Sequence, residues 1–363
     1  MNNFMAEPKE LKKEMMHACR RVIDSGFYIL GNELQEFESK WSAACGVKYG
    51  IGVGNGMDAI ELSLRVLDIG PGDEVITTGM TAVATVLAIV RAGATPVLAD
   101  IETEDALMSI ESVSRCFTEK TKAIVLVHLY GRIDRMDQWT KLCKSKNIHL
   151  IEDCAQAHLS MYKNKYAGSF GTLGAFSFYP TKNLGTLGDA GAIISDCKQT
   201  ADKLCALRNY GQAERYHHPY IGMNSRLDEI QSAMLIQRLK WLNIFTKKRQ
   251  EIAQFYNSKI KNTEIKKLSV PSFISEHVYH LFVLRCNTRD ELRDYLTQHG
   301  IQTHIHYPIP VHKQTPFINI LRDPMGLENT EVHAKECISI PCNPQMTKQQ
   351  LLFVTKAINL YKQ

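Results

Sequence analysis

Three short segments carry residues whose types and spacing suit catalysis. "FSFYPTKNLGTLGDAGAI" (176–193) sets Lys182 behind an aromatic, apolar run and ahead of glycines 185, 188 and 191, where the chain must turn. A lysine in a partly buried turn loses some of its preference for the charged form, and its neutral amine attacks carbonyls. "IEDCAQAH" (151–158) ends an apolar run in Asp153, with Gln156 and His158 just beyond. A carboxylate at the buried end of a strand needs a cationic or N–H partner. "GVGNGMDA" (52–59) places Gly52, Gly54 and Gly56 directly before a helical pattern. Such a turn offers a phosphate free backbone N–H groups and the positive end of a helix dipole. Each segment alone has a plain structural explanation: a lysine covering apolar surface, an N-capping aspartate, an unliganded tight turn. Together they supply an amine, a carboxylate and a phosphate cradle. Pyridoxal 5'-phosphate requires that set: a lysine for its aldehyde, an acid for its pyridine nitrogen and N–H donors for its phosphate.

These loops can meet only if a scaffold brings them to one edge. Between residues 48 and 195 short apolar runs alternate with helical patterns. "YGIGV" (49–53) precedes "MDAIELSLRVL" (57–67), whose Met57, Ile60, Leu64 and Leu67 share a helix face. "EVITT" (74–78), "TPVLADI" (95–101), "AIVLVHLY" (123–130), "IHLIED" (148–153), "AFSFY" (175–179) and "GAIISD" (191–196) follow as further strands. The pattern predicts an α/β protein, a large, mostly parallel sheet with helices on both faces. Ligands bind such sheets at the carboxyl ends of the strands, where the loops of Gly56, Asp153 and Lys182 fall. Residues 224–256 read as one long or broken helix. Beyond it "HVYHLFVLRC" (277–286), "RDELRDYLTQHG" (289–300), the proline-rich "HYPIPVH" (306–312) and "TKQQLLFVTKAINLY" (347–361) suggest a smaller α+β unit. The expected division is residues 1–235, with an N-terminal helix and the cofactor site, and residues 236–363.

Bulk properties exclude several classes. The 363 residues are 44% hydrophobic and 22% charged with a net charge of +5 and no basic block, which argues against a nucleic-acid partner. The ten cysteines include no C-x-x-C pair, so reduced thiols and no metal site are expected. No signal-peptide core is visible, nor the roughly 18 consecutive apolar residues of a membrane helix, and a cytoplasmic protein without membrane contact is expected. The glycine turn lacks the G-x-G-x-x-G spacing and any Walker lysine, which disfavours a nicotinamide oxidoreductase.

The three segments, with "GFYILGNELQEFE" (26–38), "DIGPGDEVIT" (68–77), "TKAIVLVHLYG" (121–131), "RNYGQ" (208–212), "YHHPYIGMNSRLDEIQ" (216–231) and "IHYPIPVH" (305–312), resemble the DegT/DnrJ/EryC1/StrS family of nucleotide-sugar aminotransferases, pyridoxal-phosphate enzymes of fold type I. The motifs run in order from about residue 26 to 312. The resemblance implies that Lys182 binds the cofactor aldehyde and that Asp153 partners the pyridine nitrogen. Gln156 would lie over the ring near its phenolic oxygen, Ser177 would bind the phosphate, and Gly56 and Met57 would give it backbone N–H groups. Asn224 would reach the phosphate of the neighbouring subunit, implying a homodimer with shared sites. Two positions depart from the family pattern: Met57 replaces a Ser or Thr, and Ala82 replaces an aromatic residue that stacks on the ring.

The implied reaction moves an amino group from glutamate to a nucleotide-linked keto-6-deoxyhexose, with dTDP as the nucleotide and C-3 as the carbon. The product would be an amino sugar for surface polysaccharide, such as a lipopolysaccharide O-antigen, or for a glycosylated metabolite. Amination at C-4 of a dTDP- or UDP-linked sugar is the near alternative, and a non-catalytic cofactor-binding regulator is the alternative of another class. Retention of Lys182 argues against the regulator and against the family's dehydratases, which carry histidine there. Candidate sugar contacts are Tyr216, His217 and His218 in one loop and His306, Tyr307 and His312 in the other.

Overall fold

The expected apolar runs all become strands in the computed structural model, which describes residues 3–362. They are β1 (Tyr49–Val53), β2 (Glu74–Thr78), β3 (Thr95–Ala99), β4 (Thr121–Val127), β5 (His149–Asp153), a short hairpin of β6 (Met161–Tyr162) and β7 (Lys165–Tyr166), then β8 (Leu173–Ser177) and β9 (Gly191–Ser195). β2 pairs in parallel with both β3 and β4, β4 with β5, and β5 with β8. β9 runs antiparallel to β8 and to β1, so β1 and β8 point the same way. Val53 and Ser177 both pair with Gly191 and flank it on either side. That register places the glycine turn after β1 beside the end of β8.

Side chains alternate across the sheet, as strand geometry requires. On β4, Ile124 and Leu126 enter one core with Leu150, Phe37, Trp41 and Trp139. Ala123 and Val125 enter the other with Ile151, Ile60, Leu64 and Leu204. The first core is covered by α2 (Asn32–Cys45), after the N-terminal α1 (Lys9–Ser25), and by residues of later helices; the second is covered by α3 (Gly56–Val66) and α4 (Val83–Arg91). α5 (Ile110–Cys116), α6 (Met136–Lys146) and α7 (Lys198–Leu207) complete the two layers. Glu152 points away from Asp153, and its carboxylate accepts N–H bonds from Gly168 (2.8 Å), Phe170 (2.8 Å) and Gly171 (2.7 Å). The loop that feeds β8 is thereby tied to β5.

α8 (Glu229–Lys259) is one unbroken helix of 31 residues, and position 235 falls inside it. Its buried row includes Arg238 and Arg249 and spans two cores: Leu235, Ile236 and Leu242 pack in the large core, while Ile252, Ala253 and Tyr256 belong to a third core with Leu284, Leu292, Ile338 and Ile358. Glu229, buried in its first turn, accepts N–H bonds from Gly31, Glu33 and Leu34 at 2.8, 2.9 and 3.0 Å and so caps α2. The third core lies on an antiparallel sheet in which β11 (Phe282–Arg285) sits between β10 (Lys266–Lys267) and the later Cys337–Ile340 strand. α9 (Arg289–Gln298) follows β11; β12 (Leu321–Arg322) and α10 (Glu328–Glu336) precede that third strand, β13, and α11 (Lys348–Leu360) closes the chain. β12 returns to the large sheet, pairing in parallel with β3, and gives the eight-stranded order β1-β9-β8-β5-β4-β2-β3-β12. Among the described residues no helix is long and apolar enough to cross a membrane.

Candidate active site

β5 delivers Asp153 to the carboxyl edge of the sheet as its last residue, 5% exposed. Its Oδ2 accepts the Thr85 hydroxyl at 2.9 Å and its Oδ1 accepts the Ala155 N–H at 3.1 Å. Thr85 shares a further hydroxyl contact with Thr81 at 2.9 Å. Among the described residues Asp153 forms no salt bridge, so a buried carboxylate is oriented by neutral donors alone. That arrangement fits a cationic partner brought by a ligand, such as a protonated pyridine ring.

Lys182 stands in the turn after β8. Its N–H donates to the Tyr179 carbonyl at 2.9 Å, and the Thr186 N–H closes the loop onto Phe178 at 2.8 Å. Asn183, buried next to it, donates to the Val278 carbonyl at 3.0 Å and meets His280 Nδ1 at 3.2 Å. Burial pulls the half-buried Lys182 amine down to about 8, while the charge of Asp153 pulls it back up. Near neutral pH a sizeable fraction is therefore the nucleophilic free amine. The turn pins the Lys182 backbone and holds its amine within electrostatic reach of Asp153.

Gln156, one turn past Asp153, accepts the Tyr130 N–H at 2.6 Å and donates to the Tyr307 hydroxyl at 3.2 Å. Burial and the charge of Asp153 push the Tyr307 phenol up to about 12, so it stays protonated. The His306 carbonyl accepts from the Tyr130 hydroxyl, and its ring Nδ1 lies 2.8 Å from Ser339 Oγ. Burial, then the charges of His304 and Lys182, hold the His306 imidazole down at about 4 and therefore neutral. Residues from the C-terminal part of the chain thus reach the edge where Asp153, Gln156 and Lys182 stand.

The expected phosphate cradle lies where β1 and β8 end together. Asn55 caps α3 by accepting the Asp58 N–H at 2.8 Å, leaving the N–H groups of Gly56 and Met57 without intrahelical acceptors. A Cβ on Gly56 would lie 2.6 Å from the Ser177 Cβ, so only glycine lets the helix start this close to the Ser177 hydroxyl. Ser225 accepts the Gly54 N–H at 3.0 Å and donates to Asp58 at 2.7 Å, clamping the 224–225 segment onto the glycine turn. Asn224 itself is exposed, and its backbone bridges Asn209. Met57 is half-buried against the second core and offers no hydroxyl; Ala82 precedes α4 without a side-chain cap.

The other expected sugar contacts are dispersed. Tyr216 is 80% exposed at φ 66°, His217 and His218 are exposed, and His218 Nδ1 lies 3.0 Å from the Tyr210 carbonyl. His312 is buried, with Nε2 3.0 Å from Glu331, which Lys313 also meets at 3.0 Å. Thr85, Tyr130, His280 and Ser225 join the site without having been expected. The Thr81–Thr85 spacing of four residues was the one available signal, since it puts both hydroxyls on one face of a helix start.

The family profile for the DegT/DnrJ/EryC1/StrS aminotransferases matches residues 9–359. The chain belongs to that family. Its fold is accordingly that of a pyridoxal-phosphate-dependent sugar aminotransferase. One relative, the dTDP-3-amino-3,6-dideoxy-α-D-galactopyranose transaminase of Aneurinibacillus thermoaerophilus, is 43% identical over 96% of both chains. The dTDP-3-amino-3,4,6-trideoxy-α-D-glucose transaminase of Streptomyces venezuelae is 39% identical over 98% of this chain and 94% of its own. Among solved structures, S. venezuelae DesV in complex with a ketimine intermediate superposes with a TM-score of 0.93 at 39% identity, covering 97% of this chain and 95% of that one.

Proposed function

We propose that this aminotransferase moves an amino group from glutamate to C-3 of a dTDP-linked keto-6-deoxyhexose, working as a homodimer with shared active sites. The observation that carries the reading is a partly neutral lysine within electrostatic reach of a buried carboxylate that forms no salt bridge among the described residues. The acceptor class is supported by the two relatives named for dTDP-3-amino sugars.

The bound cofactor supplies an electron sink for the electrons of the donor's α-carbon. Lys182 would hold the cofactor's aldehyde carbon, and its amine would serve as the base that takes the proton from the donor's α-carbon and as the acid that gives it up, in the reverse sense with the acceptor. A group that must act as base and then as acid works best when its proton affinity lies near the operating pH, as burial arranges for Lys182. Asp153 keeps the pyridine nitrogen protonated, and Thr85 and Ala155 fix its orientation. Gln156 and Tyr307 form one wall, and the start of α3 with Ser177 holds the phosphate. Neutral His306 and Tyr307 are placed to bind sugar hydroxyls, and the exposed Tyr216, His217 and His218 loop serves the same sugar when two subunits meet. The homodimer reading is supported by the exposure of Asn224 and by large exposed apolar side chains around the site loops, among them Tyr179, Leu187, Tyr210 and Ile221.

The test is the cofactor's absorption in the purified protein, followed after adding glutamate and then a panel of dTDP-keto sugars. Loss of the band with glutamate and its return with a 3-keto sugar is expected. Return only with 4-keto sugars would move the reaction to C-4, and a band indifferent to glutamate would remove glutamate as donor. Light scattering should give twice the chain mass; a monomer carrying full activity would rule out shared sites.

A further inference from the structure

His158 sits in a cage of aromatic side chains. The residue is 0% exposed, with its ring centroid 5.9 Å from that of Trp41, 5.8 Å from Phe176 and 5.6 Å from Phe178. Nε2 lies 2.9 Å from the Ser177 carbonyl oxygen. A carbonyl only accepts, so Nε2 carries the proton and Nδ1 keeps a bare lone pair. Nδ1 has no hydrogen-bond partner among the described residues. Burial, helped by the charge of Lys182, keeps the ring neutral. A leucine or phenylalanine would fill this cage but leave the Ser177 carbonyl without that donor.

The strand pattern explains why a donor is needed here. Carbonyls two residues apart on a strand face the same edge, so those of Ala175 and Ser177 both face β5. The Ala175 carbonyl accepts the Cys154 N–H at 2.8 Å, but β5 has ended and its chain has turned away by the level of Ser177. At the end of that turn His158 supplies the missing donor. Gly56 stands against the Ser177 side chain, where a Cβ on it would lie 2.6 Å from the Ser177 Cβ, so the position of the Ser177 backbone sets the width of the cradle.

We propose that His158 is a positioning residue for the cofactor's phosphate: its Nε2–H holds the Ser177 backbone and thereby seats the Ser177 hydroxyl opposite the start of α3. The proposal rests on the reading that the phosphate of pyridoxal phosphate binds in this cradle. Dissociation constants of the full-length chain for pyridoxal phosphate and, in parallel, for pyridoxal test it by equilibrium dialysis. His158→Phe is expected to weaken pyridoxal phosphate about tenfold, the order of one lost hydrogen bond, and to leave pyridoxal unchanged. His158→Gln, which keeps an N–H near the same place, should fall close to the parent. In a Ser177→Ala background the effect of His158→Phe should vanish, because the group it positions is gone. Equal weakening of both ligands, an undiminished effect in the Ser177→Ala background, or no weakening at all overturns the proposal. If His158→Phe does not fold, His158→Leu replaces it, with the same outcomes read. A parent chain that prefers pyridoxal phosphate to pyridoxal no more than weakly would instead overturn the placement of the phosphate.

Discussion

Replacing Asp153 with asparagine isolates the one charge on which the proposed chemistry depends. The carboxylate is almost fully buried and its direction is set by Thr85 and Ala155. An asparagine can keep the Ala155 N–H on its oxygen and turn its amide toward Thr85, whose hydroxyl is free to accept instead of donate. Folding should therefore survive, with unfolding free energy within about 1 kcal/mol of the parent. What disappears is the attraction between a carboxylate and a protonated pyridine nitrogen. At about 4 Å and an effective dielectric constant of about 20, that attraction is on the order of 4 kcal/mol. Without it the ring nitrogen loses its proton and drains electrons poorly from the donor carbon, which corresponds to a rate loss of roughly three decades. The assay is a single-turnover decay of the cofactor's absorption on mixing with glutamate, with cofactor content measured separately so that weaker binding is not mistaken for slower chemistry. A loaded Asp153→Asn protein reacting within about threefold of the parent would refute the assignment, since the charge is then worth less than about 1 kcal/mol at the transition state.

Lys182→Ala should abolish turnover while leaving the thermal midpoint near that of the parent; retained turnover contradicts the lysine assignment. Because burial holds the Lys182 amine at about 8, covalent capture of pyridoxal phosphate by the cofactor-free chain should speed up as pH rises through that value and level off within about one unit above it. The sign follows from the neutral amine being the attacking form, and a rate still climbing toward the ordinary lysine range of about 10.4 contradicts the shift. Gly56→Ala puts a methyl group against the Ser177 Cβ and should cost about 1–3 kcal/mol in urea unfolding, with weaker retention of cofactor as well. Glu229→Gln leaves a single acceptor oxygen for the N–H groups of Gly31, Glu33 and Leu34 and should destabilise by about 1–3 kcal/mol; an unchanged urea midpoint means α2 does not need that cap.

The parts of this site that were legible beforehand are the ones whose chemistry is local. A lysine between an aromatic run and glycines, an aspartate ending an apolar run and three glycines before a helix are each compact patterns, and the register of β1 and β8 on Gly191 brings two of them together. The unforeseen contacts join residues far apart in the chain: Thr85 reaches Asp153 across 68 positions and Tyr130 reaches His306 across 176. No local periodicity encodes such a pair, because hydroxyls and phenols fit equally well on solvent-facing positions. The boundary expected near 235 falls within one unbroken helix: Leu235, Ile236 and Leu242 serve one core and Ile252, Ala253 and Tyr256 the other. The two-residue β12 was invisible for the converse reason, since "LR" has no alternation to read.

His158 shows what such reading overlooks and what structure recovers. In the sequence it was one more polar residue after Asp153, and in the fold it is a polar ring among three aromatic ones with a single bond to its name. Asp153 and His158 flank the Cys154–Ala157 turn, so on the proposed reading the turn that would orient the acid under the ring nitrogen would also deliver the donor that steadies the phosphate cradle. A shift of that turn would move both ends of the cofactor site together. Asp153→Asn and His158→Phe should therefore fail differently, the first in rate with phosphate-dependent affinity largely kept, the second in phosphate-dependent affinity with the rate of the loaded enzyme largely kept. If His158→Phe instead slowed the loaded enzyme as much as Asp153→Asn does, the turn would be acting on the acid and the division of labour between its two ends would be wrong.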